Sequence, residues 1–557
     1  MTTNLLLAIF LVFITLYSFY KNLNDLHMFQ LNSYMPVRYF RWYKSKAGYT
    51  LKDNDMMMVI GIIILMFSKL TSYMIINAAI MLVGLLIIFI SIYMYKFRLS
   101  FYQAKKKLVY TKRVKRLIVT ICLIHIIVFT FALYYLQLLS SSLTIYMAVI
   151  TLLVILNIFS FIFMILAFYI NQPIESNIKS NLVDETKDLL SSNQNLITIG
   201  ITGSYGKTSV KNILHHLLSK KYHVLMTPES YNTTWGIIRT VRENLKPTHQ
   251  VFIAEMGAKE TGDIKEICDI VHPMYSLITS IGEQHLETFK TLENVIKTKG
   301  ELFKYTKKGG TCFVNLSDEN IISLERENDK NYIDYSSNDK TKGKYTYSDI
   351  KNTSKGTSFT LHINGDTKSN EKTSNSPDKS YDLKTKLLGK HNIDNLLSCI
   401  SIALELGINP DHLNMLLYDI EPLKHRLSLR ESSLGYTIID DAFNSNPVGS
   451  KSALEVLKNM DGGKKIILTP GMIELGDKEY ELNRKLGHYI ADACDYVILV
   501  GKKQTQPIQD GLADKNYPSN QIYIAQSLHD GFDKINSIIV KGDVLLIEND
   551  LPDTFNE

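Results

Sequence analysis

The sequence predicts an α-helical membrane domain followed by two α/β domains, and three observations lead there. Long apolar runs almost free of charge fill the chain before residue 171; short β-rich runs alternating with helical spacing fill it after residue 195. The charge divides at the same border. Net charge is +6 over 557 residues, but residues 1–170 hold 16 Lys and Arg against three Asp and Glu, while the rest hold 45 basic against 52 acidic side chains. With 46% hydrophobic residues the chain is too apolar to be disordered. The expected organisation is a five-span region over 1–170, a linker over 171–195, a first α/β domain over 196–424 with a parallel-type central sheet, and a second, Rossmann-like one over 425–557.

A bilayer core about 30 Å thick needs roughly 20 apolar helical residues. Asn4–Tyr20, Leu117–Leu139 and Leu143–Ile170 are free of Lys, Arg, Asp and Glu. Met56–Tyr95, with only Lys69 charged, is twice the necessary length and should be a helical hairpin turning within Ser68–Asn77. Lys21–Asp55 carries six Lys and Arg and Lys96–Arg116 carries nine. By the positive-inside rule these loops are cytoplasmic, the N-terminus is outside, and everything after Ile170 is cytoplasmic: a multi-pass protein of the cell membrane. His125, Asn157 and Ser160 within the spans either mark a substrate path or bond between helices. The five cysteines have no metal-ligand spacing and are expected to be buried, reduced thiols.

After the polar stretch 171–195, Leu196–Ile201 is β-rich and ends at Gly203-Ser204-Tyr205-Gly206-Lys207-Thr208-Ser209, after which Val210, Ile213, Leu214, Leu217 and Leu218 recur at helical spacing. Strand, glycine loop and helix in that order form a phosphate loop. Backbone N–H groups and the helix N-terminus cradle phosphate, Lys207 reaches the β/γ-phosphates, and the Thr208 hydroxyl is placed for Mg²⁺. Ile201 stands where the usual spacing has its first glycine. Glu255, ending the apolar run 251–254, suits a hard cation as a strand-end carboxylate near that loop.

Further segments follow in chain order: Ala254-Glu255-Met256-Gly257-Ala258, His285-Leu286-Glu287-Thr288-Phe289, Lys299-Gly300-Glu301-Leu302-Phe303, Gly389-Lys390-His391-Asn392 with Asn395, and Asp440-Asp441-Ala442-Phe443-Asn444-Ser445-Asn446-Pro447. With the loop they resemble the Mur ligase family, which joins amino acids or dipeptides to cell-wall precursors, and are most similar to the branch that adds D-Ala-D-Ala to the muramyl tripeptide. The resemblance covers Leu196 to about Glu557. It implies ATP and Mg²⁺ as cofactors, Thr208, Glu255 and His285 as metal ligands, and Lys207, His285 and Lys299 as catalytic residues, Lys299 carbamylated. It implies that Asn392 and Asn395 hold adenine, Arg426 phosphate and Asp441 ribose, while Asn444 and Asn446 face the amine. Gly471 replaces the family's Asp, and Glu548–Asp553 stands where those enzymes have a basic element.

The expected activity is an ATP-dependent amide ligase of the cell envelope working through an acyl phosphate. A poly-γ-glutamate-type polymerising ligase and a non-catalytic nucleotide sensor are the alternatives. The expected partners are a cell-wall precursor, lipid-linked or soluble, an amino acid or dipeptide, and membrane lipid. Nucleic acid is not expected, because the basic residues flank the spans. The oligomeric state is not legible.

Overall fold

The computed structural model describes residues 2–32, 34–44, 56–64, 73–101, 107–137, 160–282, 286–337, 343–353, 356–365, 379–422, 425–442, 446–473, 475 and 478–549. They fall into two units, Met1–Asn181 and Leu182–Glu557.

The first unit is helical: α1 (Thr2–Leu31), α2 (Pro36–Lys44), α3 (residues 56–64), α4 (Met74–Phe101), α5 (Lys112–Gln137) and, as far as Asn181, α6 (Ser160–Ser191). Within α4, Ile75–Met94 has the length and apolarity of a membrane span. Of the expected hairpin turn within Ser68–Asn77, residues 68–72 lie outside the described residues and 74–77 already belong to α4; residues 143–159 of the last expected span, with Asn157, also lie outside them. The helices flanking that turn do pack together. A Cβ on Gly61 would come within 2.8 Å of Ile88 and 3.1 Å of the Gly84 carbonyl, so α3 and α4 meet where both residues are small.

Polar side chains among these helices are bonded locally. Ser160 donates to Asp25 Oδ2 (2.8 Å), Asn171 to Thr120 Oγ1 and the Ala167 carbonyl (both 2.8 Å), and His125 Nδ1 lies 2.8 Å from the Ile121 carbonyl. Of the two roles open to Ser160 and His125, the geometry accounts for bonding within the bundle. Pro173 lies inside α6, which carries the chain through the polar stretch as far as Ser191.

The second unit holds two sheets. The larger comprises β1 (Ile197–Thr202), β2 (Val224–Met226), β3 (Val251–Glu255), β4 (Tyr275–Ile278), β5 (Thr311–Asn315), β6 (Asn331–Ser336), β7 (Tyr345–Thr353), β8 (Gly356–Ile363) and β9 (Lys379–Thr385), in the order β2-β3-β1-β4-β5-β6-β7-β8-β9. Pairing is parallel from β2 through β7 and antiparallel across β7, β8 and β9, so the expected parallel-type sheet is a mixed one. Thr357–Ile363, expected at an edge, is interior. Its alternation reflects an antiparallel sheet with one face on the core, where Phe359 and Leu361 are buried, and not an edge position.

Helices α7 (Lys207–Leu218), α8 (Thr234–Asn244), α9 (Asp263–Val271), α10 (Leu292–Lys304) and α11 (Lys390–Glu405) cover this sheet. α7 and α11 meet through Val210, Leu214 and Leu217 against Ile393, Leu397 and Ile400, all fully buried. Each such side chain is worth roughly 1.5–3 kcal/mol on burial, which fixes both helix starts at one sheet edge.

The smaller sheet comprises β10 (Ser428–Glu431), β11 (Thr437–Asp441), β12 (Lys465–Thr469), β13 (Tyr496–Val500), β14 (Ile522–Ala525) and β15 (Val544–Glu548), in the order β10-β11-β15-β12-β13-β14. The four apolar runs of the sequence are β11, β12, β13 and β15, which lie side by side and parallel. β10 and β14, which patterning did not single out, are the half-polar outer strands. Helices α12 (Pro447–Asn459) and α13 (Glu479–Ala493) pack on this sheet through Leu454, Leu457, Leu486 and Ile490. Four cysteines are buried thiols as expected; Cys122 is exposed.

Candidate functional site

The site is assembled at the carboxyl ends of β1 and β3, where open α/β sheets hold ligands. β1 ends at Thr202, and the turn into α7 passes through Gly203 (φ 151°) and Gly206 (φ 82°). A Cβ at Gly206 would lie 2.6 Å from Asn395 Oδ1, so glycine there allows both the left-handed turn and the close approach of α11. The loop is braced from β4: Ser204 exchanges hydrogen bonds with the backbone of Gly282 (2.9 and 3.0 Å), and the Tyr205 N–H donates to Ser280 Oγ (3.1 Å).

Lys207 folds back over the loop, donating to the carbonyls of Gly203 (2.5 Å) and Ser204 (3.0 Å). Burial pushes its pKa down to about 8, with Glu255 opposing and Arg426 adding to the shift. Thr208 donates to Glu255 Oε1 (3.1 Å), which also accepts from Asn232 Nδ2 (3.2 Å). The other oxygen of Glu255 pairs with Lys211 Nζ at 3.0 Å, both side chains 1% exposed. Lys211 also donates to the carbonyl of Glu229. A dry ion pair therefore fixes the strand-end carboxylate against the phosphate loop.

Lys299, on the buried face of α10, has its pKa held well below the ordinary lysine value by burial first and by Lys207 next, with Asp263, Glu255 and Glu301 opposing. Beside it, Glu301 accepts from the backbone N–H groups of Gly262 (2.7 Å) and Lys265 (3.0 Å) and so caps α9.

A cavity of about 180 Å³ opens beside the loop, lined in part by Ser209, Asn212, Ile213, Asn392 and Arg426. Asn392 is buried and donates to the Leu388 carbonyl (2.8 Å). Arg426 enters from the C-terminal domain, its pKa lowered by burial against the opposing pull of Glu255 and Asp441. Asp441 accepts from the Leu427 N–H (2.9 Å), and burial raises its carboxyl to about 6. His425 and Leu427 adopt left-handed backbone (φ 62° and 48°), so the link between the two domains holds conformational strain around Arg426. The domains also meet at His391 Nδ1 and Ser452 Oγ (2.7 Å), where burial lowers the imidazole pKa to about 4.

The structure thus brings Gly203 to Ser209, Glu255, Lys299, Asn395, Asn392, Arg426 and Asp441 to one region. His285 and Asn444 lie outside the described residues. Asn446 caps α12, accepting from the Gly449 N–H (2.9 Å). Sequence reasoning missed Lys211, Asn232 and Glu301. The signal for Lys211 was its position one turn after Lys207, among the apolar residues of α7.

The oxygens of Thr208 and Glu255 suit Mg²⁺, which takes one or two carboxylates and completes its shell with phosphate and water. No cluster of three His, Cys, Asp or Glu forms a metal cage among the described residues.

A strand-loop-helix phosphate site between two α/β domains defines a nucleotide-phosphate-binding enzyme core. Residues 201–403 match the Mur ligase middle domain and 425–548 the Mur ligase glutamate ligase domain, together more than half of the chain. The chain belongs to the Mur ligase family, and with it to the ATP-dependent amide ligases. It is similar to the UDP-N-acetylmuramoyl-tripeptide–D-alanyl-D-alanine ligase of Bacillus subtilis, at 28% identity over 63% of this chain and 72% of that protein. It is also similar to the ligase of the same description from Haemophilus influenzae, at 29% identity over 53% of this chain and only 61% of the relative's length. The fold is shared with the MurF ligase of Thermotoga maritima in complex with ADP, at a TM-score of 0.57 and 24% identity, covering 67% of this chain and 80% of that one.

Proposed function

We propose that the protein is a membrane-anchored ligase that adds an amino acid or dipeptide to a cell-wall precursor, the acceptor being met at the cytoplasmic leaflet. Two cations from different domains carry the reading: Lys207 on the phosphate loop and Arg426 beyond the domain link both act on the region of Glu255. A nucleotide sensor needs only the first; phosphoryl transfer to a second substrate needs charge supplied from both sides.

In this reaction an acceptor carboxylate oxygen attacks the γ-phosphorus and the bond to the bridging oxygen breaks, releasing ADP. The amine nitrogen then attacks the acyl carbon, phosphate leaves, and the nitrogen loses a proton. Lys207 and the N–H groups of the 203–209 loop bind the phosphates, Arg426 holds the phosphoryl group from the opposite side, and Asn392, Asn395 and Asp441 place the nucleoside. Thr208 and Glu255, with His285, would hold Mg²⁺, which supplies charge neutralisation at the phosphates. Lys299 is read as the carbamate: burial favours its neutral amine, the form that attacks CO₂. Asn444 and Asn446 are read as facing the amine, of which D-Ala-D-Ala is the leading candidate given the names of the relatives.

We infer further that residues 1–170 form five spans with the N-terminus outside, taking the place of a UDP-sugar-binding domain. The apolar stretch Ile75–Met94 and the close approach of Gly61 to Gly84 support this. Measuring cysteine accessibility from each side of the membrane in intact cells tests it; labelling of the Lys21–Asp55 or Lys96–Arg116 loop from outside would sink the topology.

A further inference from the structure

We infer that Asp318 and Asn320 are positioning residues of the phosphate loop, setting its affinity for a nucleotide through the backbone of Ile281. The inference rests on reading residues 203–209 as the phosphate site, and adds to it a support that comes from another strand end.

The loop leans on residues 279–282. Pairing of β4 ends with Ile278 opposite Thr202 of β1 and Leu277 opposite Phe313 of β5, and three of the next four residues then hold the loop. The Thr279 N–H donates to the Thr202 carbonyl (2.9 Å) and its hydroxyl to the Tyr205 carbonyl. The Ser204 N–H donates to the Ser280 carbonyl (2.7 Å), beside the bonds of Tyr205 to Ser280 Oγ and of Ser204 to both backbone groups of Gly282. The fit is close: a Cβ on Gly203 would collide with Thr279 Oγ1 and come within 3.1 Å of the Ser280 backbone. The shape of 279–282 is therefore passed to the loop, and with it to the carbonyls of Gly203 and Ser204 on which Lys207 rests.

Ile281, the fourth residue, is held by the turn after β5. Its N–H donates to Asp318 Oδ2 (2.8 Å), and its carbonyl accepts from Asn320 Nδ2 (2.9 Å). Asp318 divides its carboxylate. Oδ1 accepts from the N–H groups of Asn320 (3.0 Å) and Ile321 (3.2 Å), capping the short helix Glu319–Ile322, while Oδ2 serves Ile281. Capping needs only one oxygen, so the cap does not account for the second bond. Ile281 is 4% exposed, and its backbone groups cannot turn to water in place when a partner is removed; the segment has to shift to satisfy them. Such a shift moves Ser280 and Gly282, which hold Ser204 and Tyr205.

Two variants separate this clamp from the cap. Asp318→Ser keeps a capping oxygen and gives up the second one; Asn320→Leu keeps the approximate shape and has no N–H for the Ile281 carbonyl. In titrations of the purified full chain with ADP and Mg²⁺, Asp318→Ser should raise the dissociation constant by about tenfold and Asn320→Leu by about fivefold, the difference between a charged and a neutral hydrogen bond. Without nucleotide, the 203–206 amides should exchange hydrogen faster by similar factors while those of β13 are unchanged. A lowered Tm with parental ADP affinity and parental exchange at 203–206 overturns the inference, because the pair then serves stability alone. Exchange that rises alike in both sheets, or unfolding of both variants, overturns it as well. A parent chain that binds no ADP removes the phosphate-site reading, and the exchange at 203–206 still decides whether the clamp shapes the loop.

Discussion

The two sheets of the catalytic unit present opposite charge at their carboxyl edges. At the first, the cations Lys207, Lys211, Lys299 and Arg426 are gathered around Glu255, and three of them have their pKa values depressed. At the second, Asp440 is buried and held by His425 (3.0 Å) and Arg430 (3.3 Å), and Asp441 and Glu548 are neighbours in register at the strand ends. One edge is short of negative charge, as a phosphate site should be before its ligand arrives. The other is rich in it. On the proposed reading, a fold that repeats the same strand-end geometry divides the work by charge: the first edge would hold the phosphoryl group and the second would deliver the amine.

The largest expected effect breaks the first edge. Lys207 is the side chain proposed to reach the phosphates, so Lys207→Ala should lower ADP formation by about 10²–10³-fold with little change in thermal stability. Lys211 is the contrasting case. Lys211→Met leaves Glu255 buried without its cation and should destabilise the protein by about 3–5 kcal/mol in denaturant titration, whereas Lys211→Met with Glu255→Leu should recover most of that loss. If the single and double variants are equally unstable, the ion pair is not what holds the carboxylate.

Next comes Lys299. Lys299→Ala should lose activity that a short carboxylic acid partly restores and bicarbonate does not; a rate insensitive to both substitution and additive removes the carbamate from the account. The domain contact gives a pH effect. His391 has its pKa lowered from 6.5 to about 4, so between those values the unfolded chain binds a proton the folded one does not. Stability should fall as pH drops through that window, by up to about 3 kcal/mol, and His391→Asn should flatten the curve. The smallest effect separates a structural from a substrate role at the second edge. Asn446→Ser keeps a capping oxygen for α12 and should change stability by less than about 0.5 kcal/mol, while raising KM for the amine.

Much of this site was legible because its chemistry writes itself into short spacing. Gly203, Gly206, Lys207 and Thr208 are bound by a turn that only such residues make, and β11, β12, β13 and β15 are apolar because parallel strands are covered on both faces. Lys211 was not legible, because a lysine letter reads as solvent-facing until the structure shows the carboxylate it meets. Glu301 was hidden for a related reason: its partners are backbone N–H groups of α9, which no sequence pattern displays. The interior position of β8 depended on which strands flank it, and that is set by long-range pairing, beyond local alternation.

The central claim is that the two edges serve one reaction, and ADP release by the purified full chain tests it most directly. With ATP, Mg²⁺, a muramyl-peptide acceptor and D-Ala-D-Ala or other amines in turn, the account predicts ADP release that requires acceptor and amine together and is abolished in Lys207→Ala. ATP hydrolysis that never depends on either substrate would contradict it.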